Sequence, residues 1–379
     1  MSNVFRLFSV PRGAGWVCAP PAQHPRPFTH TSLFLCVESP ATENHPMRSL
    51  NLPTVALGVL AFLAAGADGM APPTAKPPTV SAPANFVAPE PKPLQMTRGA
   101  EQIPNLLTGG AVLAIRLATG VFTLGWTPKL VFGEEAESIG VEKGVYGFKM
   151  GPVAFRDTSP ILAQAPRPEE PLILYEYEGS PFCRKVREAA LLLDVPIELR
   201  PCPGARAGFS DELQQLTGRR TVPYLVDPNK ENHGMFESEE IIDYMLANYG
   251  PPADTYDAKA LWPLRGEFAT FTATLATLLR GLAGSKRQEN ARPDNEQMLP
   301  LELWGYEVSP FVRPVREKLC SLCLKHVVVP TSRGSANRDK LVAETGYQFQ
   351  VPFLRDPNTG VELFESPEII EYLESVYTV

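Results

Sequence analysis

The chain has 379 residues, which is enough for two or three domains, and its formal net charge is −7. It contains no long basic stripe that could neutralise phosphates, so nucleic acid is excluded as a main partner. Six scattered cysteines do not indicate a disulfide scaffold.

Residues 1–98 are predicted to be a targeting leader that ends in a proline-rich, disordered segment. Met47-Arg48, an apolar core over 55–65 and the small-x-small site at 65–67 are typical of a secretory signal. Residues 69–98 have the Ala, Pro, Thr and Ser content of a transit peptide, and their proline density disfavours helix and sheet. A signal peptide followed by a transit peptide resembles the two-part leader of algae with secondary plastids, and it predicts a plastid (chloroplast) location. A secreted or membrane-anchored protein with a proline-rich linker is the alternative, and Met47 is a candidate translation start.

Residues 99–168 are predicted to be an extension with an apolar helix. The apolar span over 105–126 is long enough for a membrane helix. Arg116 near its centre would cost about 2.5–3.5 kcal/mol on insertion, and Gly109-Gly110 weakens the helix further. A helix packed on the domains, or one in peripheral contact with a membrane surface, is therefore favoured over a spanning helix.

Residues 169–250 and 300–379 are two copies of one domain, called copy one and copy two below. The motif at 177–184, Tyr-Glu-Gly-Ser-Pro-Phe-Cys-Arg, returns at 306–313 as Tyr-Glu-Val-Ser-Pro-Phe-Val-Arg. Val222-Pro223 has a counterpart in Val351-Pro352, and the Phe-Glu-Ser of 236–238 returns at 364–366. Three landmarks in the same order predict a duplication.

Each copy reads as strand, helix, strand, helix, strand, strand, helix. Short apolar runs separated by turn residues predict the strands, and Pro181 stands at the first position of a helix, where proline is well tolerated. A proline at the head of the third strand predicts an unusual backbone with a cis peptide bond, and Ser238 is a candidate cap of the last helix. The linker over 251–299 contains one helical candidate at 261–282. For copy one the predicted elements lie at 172–175, 181–193, 196–199, 210–216, 222–226, 234–236 and 238–249.

This order and these motifs resemble the thioredoxin-like N-terminal domain of glutathione S-transferases and glutaredoxins. Two such domains look like the plastid glutathione transferases with two tandem N-terminal domains, which are akin to the glutaredoxin-like part of prostaglandin E synthase type 2. The resemblance implies an α/β fold with two tandem thioredoxin-like (βαβαββα) domains, extra helices and a disordered N-terminal leader. It also implies glutathione as the cofactor.

The resemblance implies roles for the repeated motifs. Ser180 and Ser309 stand where a glutaredoxin has its reactive cysteine, and their hydroxyls would donate to the glutathione sulfur. Cys183 keeps the fourth position of that motif, which is Val312 in copy two. The Val-Pro backbone would pair with the cysteinyl part of glutathione, and the Glu-Ser pair would receive the γ-glutamyl end. The residues placed at the site in this way are Phe182, Val222, Pro223, Glu237 and Ser238 in copy one, and Val351, Pro352, Glu365 and Ser366 in copy two.

Three functions stay open at this point. The first is a glutathione-dependent enzyme of the transferase, peroxidase or isomerase type that acts on a small electrophile, with the second-substrate site between the copies or against the helices at 105–126 and 261–282. The second is a glutathione- or protein-binding module without chemistry, in which the serines only cap helices and the Val-Pro turn only serves the fold. The third is a thiol reductase based on Cys183.

Other repeated or suggestive residues receive simpler interpretations. Arg187-Glu188 and Arg316-Glu317 are interpreted as solvated helix charges. Cys320 and Cys323 are interpreted as core or surface cysteines, because no second C-x-x-C completes a set of metal ligands and the five histidines do not cluster. No metal site is expected.

Overall fold

The structure, a computed structural model, describes residues 79–379. The predicted signal at 47–67 and the start of the transit segment lie outside the described residues, so the plastid location stays a prediction. Residues 79–98 contain neither helix nor strand, as their proline content predicts. They are nevertheless packed on copy two, where Val80 joins the hydrophobic core and the Phe86 ring lies 5.1 Å from that of Tyr372. The expectation of disorder is therefore wrong for residues 79–98, because Val80 and Phe86 pack on the core of copy two.

The extension is more structured than the sequence indicated. Its main elements are α1 (Gly99–Ile115), β1 (Thr127–Val131), α2 (Gly133–Ser138), β2 (Phe148–Met150) and β3 (Val153–Thr158). The three strands form a small antiparallel sheet in the order β1-β3-β2, which the sequence analysis missed.

The apolar span at 105–126 is not one helix. α1 ends at Ile115, and Arg116 is fully buried against the copies. Among residues 79–379, no helix combines the length and apolar content needed to cross a membrane. Peripheral membrane contact stays a prediction, and Leu107 is an exposed apolar side chain that it would use.

Copy one has the predicted βαβαββα order. Its elements are β4 (Leu172–Glu176), α3 (Pro181–Leu192), β5 (Ile197–Pro201), α4 (Ser210–Thr217), β6 (Tyr224–Asp227), β7 (His233–Phe236) and α5 (Ser238–Tyr249). α3 and α5 cover one face of the sheet through Val186, Ile241 and Met245, and α4 covers the other through Leu213.

Copy two repeats this architecture after the linker helix α6 (Gly266–Leu278). Its elements are β8 (Leu301–Gly305), α7 (Val312–Ser321), β9 (His326–Pro330), α8 (Asn337–Thr345), β10 (Phe353–Asp356), β11 (Val361–Phe364) and α9 (Ser366–Tyr377). The Val222–Pro223 and Val351–Pro352 peptide bonds are both cis, which confirms the expectation from sequence.

A buried aspartate positions the last helix of each copy. Asp227 accepts hydrogen bonds from the hydroxyls of Tyr244 (2.7 Å) and Tyr249 (2.5 Å), which both lie on α5. Asp356 does the same for Tyr372 and Tyr377 on α9, at 2.5 and 2.7 Å. These hydrogen bonds hold the C-terminal half of each last helix against the end of the third strand.

The two copies share one eight-stranded sheet in the order β11-β10-β8-β9-β5-β4-β6-β7. β5 of copy one pairs antiparallel with β9 of copy two, with Glu198 opposite Val327 and Leu199 opposite His326. The second strand of each copy, which would be an exposed edge in isolation, is thereby covered.

The pairing of β5 with β9 is called the seam below, and buried charges next to it link the two copies. Arg187 of copy one donates twice to Glu307 of copy two, with both bonds at 3.1 Å. Arg316 of copy two donates to Glu178 of copy one at 2.9 Å, and it also contacts Glu307. All four side chains are buried. Burial by itself would raise the pKa of Glu307, but the positive charges of Arg187 and Arg316 outweigh this effect and hold the pKa well below its usual value. The interpretation of these arginines as solvated helix charges is therefore wrong, because they face the other copy.

Glu188 and Glu317, which follow these arginines in the sequence, bind the ends of α1 and α6 outside the sheet. Glu188 pairs with Arg116, which follows α1, and Glu317 pairs with Arg280, which follows α6. Neither glutamate is a solvated charge.

The two outer helices are themselves related by the duplication. Arg116 donates to Thr272 on α6 at 2.5 Å, and Arg280 donates to Thr108 on α1 at 2.9 Å. The spacing from threonine to arginine is the same in both helices, and a glycine with positive φ follows four residues after each arginine: Gly120 (φ 85°) and Gly284 (φ 73°). A Cβ on either glycine would press on a buried glutamate of the seam, at 3.1 Å from Glu307 and 2.9 Å from Glu178. The repeat thus begins at these helices, which the sequence analysis placed outside the two copies, in the extension and in the linker.

His326, a buried histidine on β9, predicts how one part of the stability depends on pH. Burial lowers the pKa of His326 from 6.5 to about 4, and its Nδ1 donates to the Leu324 carbonyl at 2.9 Å. Below about pH 6.5 His326 takes up a proton in the unfolded chain but not in the folded chain, so the contribution of this residue lowers the free energy of unfolding as the pH drops, by about 2 kcal/mol at pH 5. His326→Asn cannot titrate, and we expect its stability to fall less than that of the wild type between pH 7 and pH 5. Urea unfolding at each pH measures the difference, and parallel pH profiles would contradict this assignment.

Candidate functional site

The serines of the two Ser-Pro-Phe motifs lie at the start of the first helix of each copy. Ser180 is the N-cap of α3, and its Oγ accepts from the Cys183 amide at 3.2 Å. Ser309 Oγ accepts from the amides of Phe311 and Val312, both at 3.3 Å. Each hydroxyl thus satisfies a helix end as an acceptor and keeps its hydrogen for another partner.

Both serines are poorly accessible. Ser180 is 2 % exposed and Ser309 is fully buried. Next to Ser180, the loop after α6 approaches so closely that a Cβ on Gly179 would lie 2.0 Å from Ser285 Oγ. The close approach of this loop restricts access to Ser180.

Cys183 has the properties of a core residue. Its side chain is fully buried, and burial raises the pKa of its thiol to about 12. A thiol in this state is protonated near neutral pH and cannot serve as a nucleophile. Cys202, Cys320 and Cys323 are buried as well, and Cys320 Sγ accepts from the Glu178 amide at 3.4 Å. Among the described residues, no group of His, Cys, Asp and Glu is suited to hold a metal ion.

The Val-Pro motifs lie where the third strand of each copy begins. Val222 is half-buried, and it precedes the ladder between β4 and β6, which starts at the Tyr175–Tyr224 pair. Its backbone groups are therefore not used by that ladder. Val351 has the equivalent place before β10. Pro223 and Pro352 are buried beneath them.

The Glu-Ser motifs lie at the start of the last helix of each copy. Glu237 and Glu365 have positive φ angles of 67° and 71°, and each occupies the residue before its helix. The same backbone strain at both sites indicates a constrained position. Neither Ser238 nor Ser366 is the cap, because α5 and α9 begin at these serines, so the expectation that Ser238 caps its helix is wrong.

The two copies differ most at this motif, because residues 92–102 cover copy two. The Lys92 amide and the Thr97 hydroxyl donate to the Glu365 carboxylate at 3.3 and 3.4 Å. Ser366 donates to the side-chain carbonyl of Gln102 at 3.2 Å. In copy two the chain itself occupies the groups that the resemblance assigns to the γ-glutamyl end.

In copy one no equivalent segment of the described chain binds this motif, although Ser238 is only 5 % exposed. Glu237 is exposed, and the Phe182 ring is 46 % exposed with the Lys185 ammonium 5.6 Å from its centroid. Phe182, Val222, Glu237 and Ser238 belong to the edge of copy one formed by the N-terminal ends of α3 and α5 and the start of β6. Phe182 stands four residues before the buried Val186, so helical spacing alone would place its ring on the buried face of α3.

Residues 174–253 and 303–378 both match the family model of the glutathione S-transferase N-terminal domain. These two matches cover the strands and helices of copy one and copy two, so the chain is glutathione S-transferase-like over both copies. A search of curated proteins gave no match.

Two solved structures show a more distant similarity. A glutathione transferase of Bombyx mori, BmGSTD1 in complex with GTT, is 24 % identical, with a TM-score of 0.21; the match covers 24 % of this chain and 42 % of that protein, less than half of its length. Leishmania TDR1, a trimeric glutathione transferase, is 16 % identical over 55 % of this chain and 68 % of its own, with a TM-score of 0.22. At these TM-scores the assignment depends on the two domain matches and not on the superpositions.

Proposed function

We propose that the protein binds glutathione in copy one and activates its thiol for transfer to a small electrophile. The observation that carries the proposal is the open edge of copy one, in a domain that matches the glutathione S-transferase N-terminal family. In copy two the corresponding Glu365 and Ser366 are engaged by the chain itself. We therefore expect one glutathione per chain.

Three groups in copy one would hold the tripeptide. The backbone of Val222 would pair with the cysteinyl part, since the β4–β6 ladder leaves it free. The N-terminus of α5, with Ser238, would receive the γ-glutamyl carboxylate, because the free amides at a helix N-terminus favour an anion.

Ser180 would act on the sulfur. Its hydroxyl hydrogen is not used by the bond from the Cys183 amide, so it could donate to a thiolate placed at the N-terminus of α3. A donor and a helix N-terminus together lower the pKa of a thiol. With chlorodinitrobenzene as the electrophile, the thiolate sulfur would bond to the ring carbon that carries chlorine, the carbon–chlorine bond would break and chloride would leave, and the thiol proton would pass to solvent.

A second candidate is glutathione binding without chemistry. The low exposure of both serines favours it, because a sulfur must reach Ser180 past the loop at Ser285. A reductase based on Cys183 is disfavoured, since burial keeps that thiol protonated.

Calorimetry with reduced glutathione tests the binding site. We expect one site per chain, and Ser238→Ala should weaken binding about tenfold through the loss of a charge-assisted hydrogen bond. Ser366→Ala is the matched control in copy two and should leave the affinity unchanged. Two sites per chain, the absence of binding, or equal effects of the two substitutions would contradict the proposal.

Turnover separates the two candidates. With chlorodinitrobenzene as the electrophile, Ser180→Ala should lower kcat/KM about a hundredfold while glutathione still binds, because the donor to the thiolate is lost. Cys183→Ser should have a smaller effect. The ultraviolet absorbance of the bound thiolate should disappear in Ser180→Ala at neutral pH. Glutathione binding by the wild type without a thiolate signal or turnover would establish the second candidate instead.

A further inference from the structure

Copy two contains a cavity of about 250 Å³ between its own strands and the extension. Val121 from the loop after α1 and Tyr146 from the extension form one side, and Tyr306 and Val351 of copy two form another. A second cavity of about 200 Å³, which reaches Phe311 and Glu365, shares Val351 with the first. The larger cavity is separate from the open edge of copy one, and the inference below does not depend on glutathione binding there.

Aromatic rings form much of the wall. The rings of Tyr146 and Phe349 lie 5.1 Å apart, and Tyr306 and Tyr347 also face the cavity. Phe349 has a φ of 56°, which is a strained conformation for a bulky residue. Such a wall suits a flat apolar group, because aromatic rings pack well in offset or tilted arrangements.

Two arginines add positive charge to this apolar wall. Arg338 donates from Nε to the carbonyls of Thr331 and Ser332 at 2.9 and 3.1 Å, and its guanidinium lies 4.6 Å from the centroid of the Tyr146 ring. These partners are uncharged, and Arg338 forms no ion pair within residues 79–379. Arg333 is partly neutralised by Asp157 at 2.9 Å. The lining therefore carries a net positive charge.

One polar group in the wall lacks a partner. The Thr331 hydroxyl is 1 % exposed and has no hydrogen-bond partner among the described residues. A buried hydroxyl without a partner is unfavourable, and a ligand oxygen in the cavity would satisfy it. In copy one the equivalent position is Cys202, and the positions of Arg333 and Arg338 are Gly204 and Phe209. The combination is thus specific to copy two.

We propose that this cavity binds a small planar aromatic carboxylate. The ring would pack against Tyr146 and Phe349, and the carboxylate would accept from the arginines and from the Thr331 hydroxyl. Glutathione itself fits poorly, because residues 92–102 occupy the Glu365-Ser366 end of this copy.

Calorimetry on the full chain with naphthoate tests the proposal, and naphthalenemethanol provides the uncharged analogue. We expect one naphthoate site, with the alcohol at least about tenfold weaker because it lacks the charge-assisted hydrogen bonds. Arg333→Gln should weaken naphthoate about tenfold and leave the alcohol unchanged. Arg219→Gln, an exposed arginine of copy one, is the matched control and should have no effect.

Thr331→Val keeps the proposal testable if Arg333→Gln does not fold. It preserves the shape of the side chain and removes an unpaired hydroxyl, so the ligand-free protein should melt at the same temperature as the wild type or higher. Naphthoate should bind it several-fold more weakly. Equal affinity for naphthoate and the alcohol, unchanged naphthoate binding in both variants, or displacement of naphthoate by glutathione would overturn the proposal.

Discussion

Two reciprocal ionic contacts between buried side chains join the copies. Arg187 reaches Glu307 and Arg316 reaches Glu178, and water has access to none of these groups. The desolvation of four charges is expensive, and it is offset only while all four partners stay in place. Separation of the copies would expose the seam between β5 and β9 and break these contacts, so that Arg187 would keep only glutamates of copy one and Arg316 only Glu307. The rest of the structure depends on this reciprocal contact, which makes the duplicated chain one folding unit.

The same contact places the loops beside the two candidate sites. Gly120 and Gly284 lie against Glu307 and Glu178, so the loops that follow α1 and α6 are fixed by the seam. The loop after α6 places Ser285 next to Gly179 and Ser180, and the loop after α1 places Val121 at the cavity of copy two. A nearly symmetric scaffold thereby supports two different sites. Copy one keeps an open edge, whereas copy two is covered by residues 92–102 and has an aromatic, positively charged cavity.

The sequence predicted the elements of the copies well, because the motifs occur twice and their turn residues are informative. Pro181, the cis peptide bonds at Pro223 and Pro352 and the order of strands and helices all follow from local pattern. The burial of the charged residues could not be predicted, because a charged helix face that packs on a second domain has the same residue spacing as one that is exposed to water. The repeat of α1 in α6 was missed because it consists of a threonine, an arginine and a glycine at an offset that differs from that of the copies. The burial of Ser180 depends on a loop about a hundred residues away, and no local pattern reports it.

Equilibrium urea unfolding of Glu307→Gln tests the central claim most directly. The substitution removes a buried carboxylate that both Arg187 and Arg316 contact, so the account predicts a loss of about 3–5 kcal/mol in the free energy of unfolding. Glu135→Gln, which removes an exposed pair with Lys129, is the matched control and should cost less than about 1 kcal/mol. The wild type should unfold in a single transition that includes both copies. A loss in Glu307→Gln no larger than that in the control, or two separate transitions in the wild type, would contradict the account.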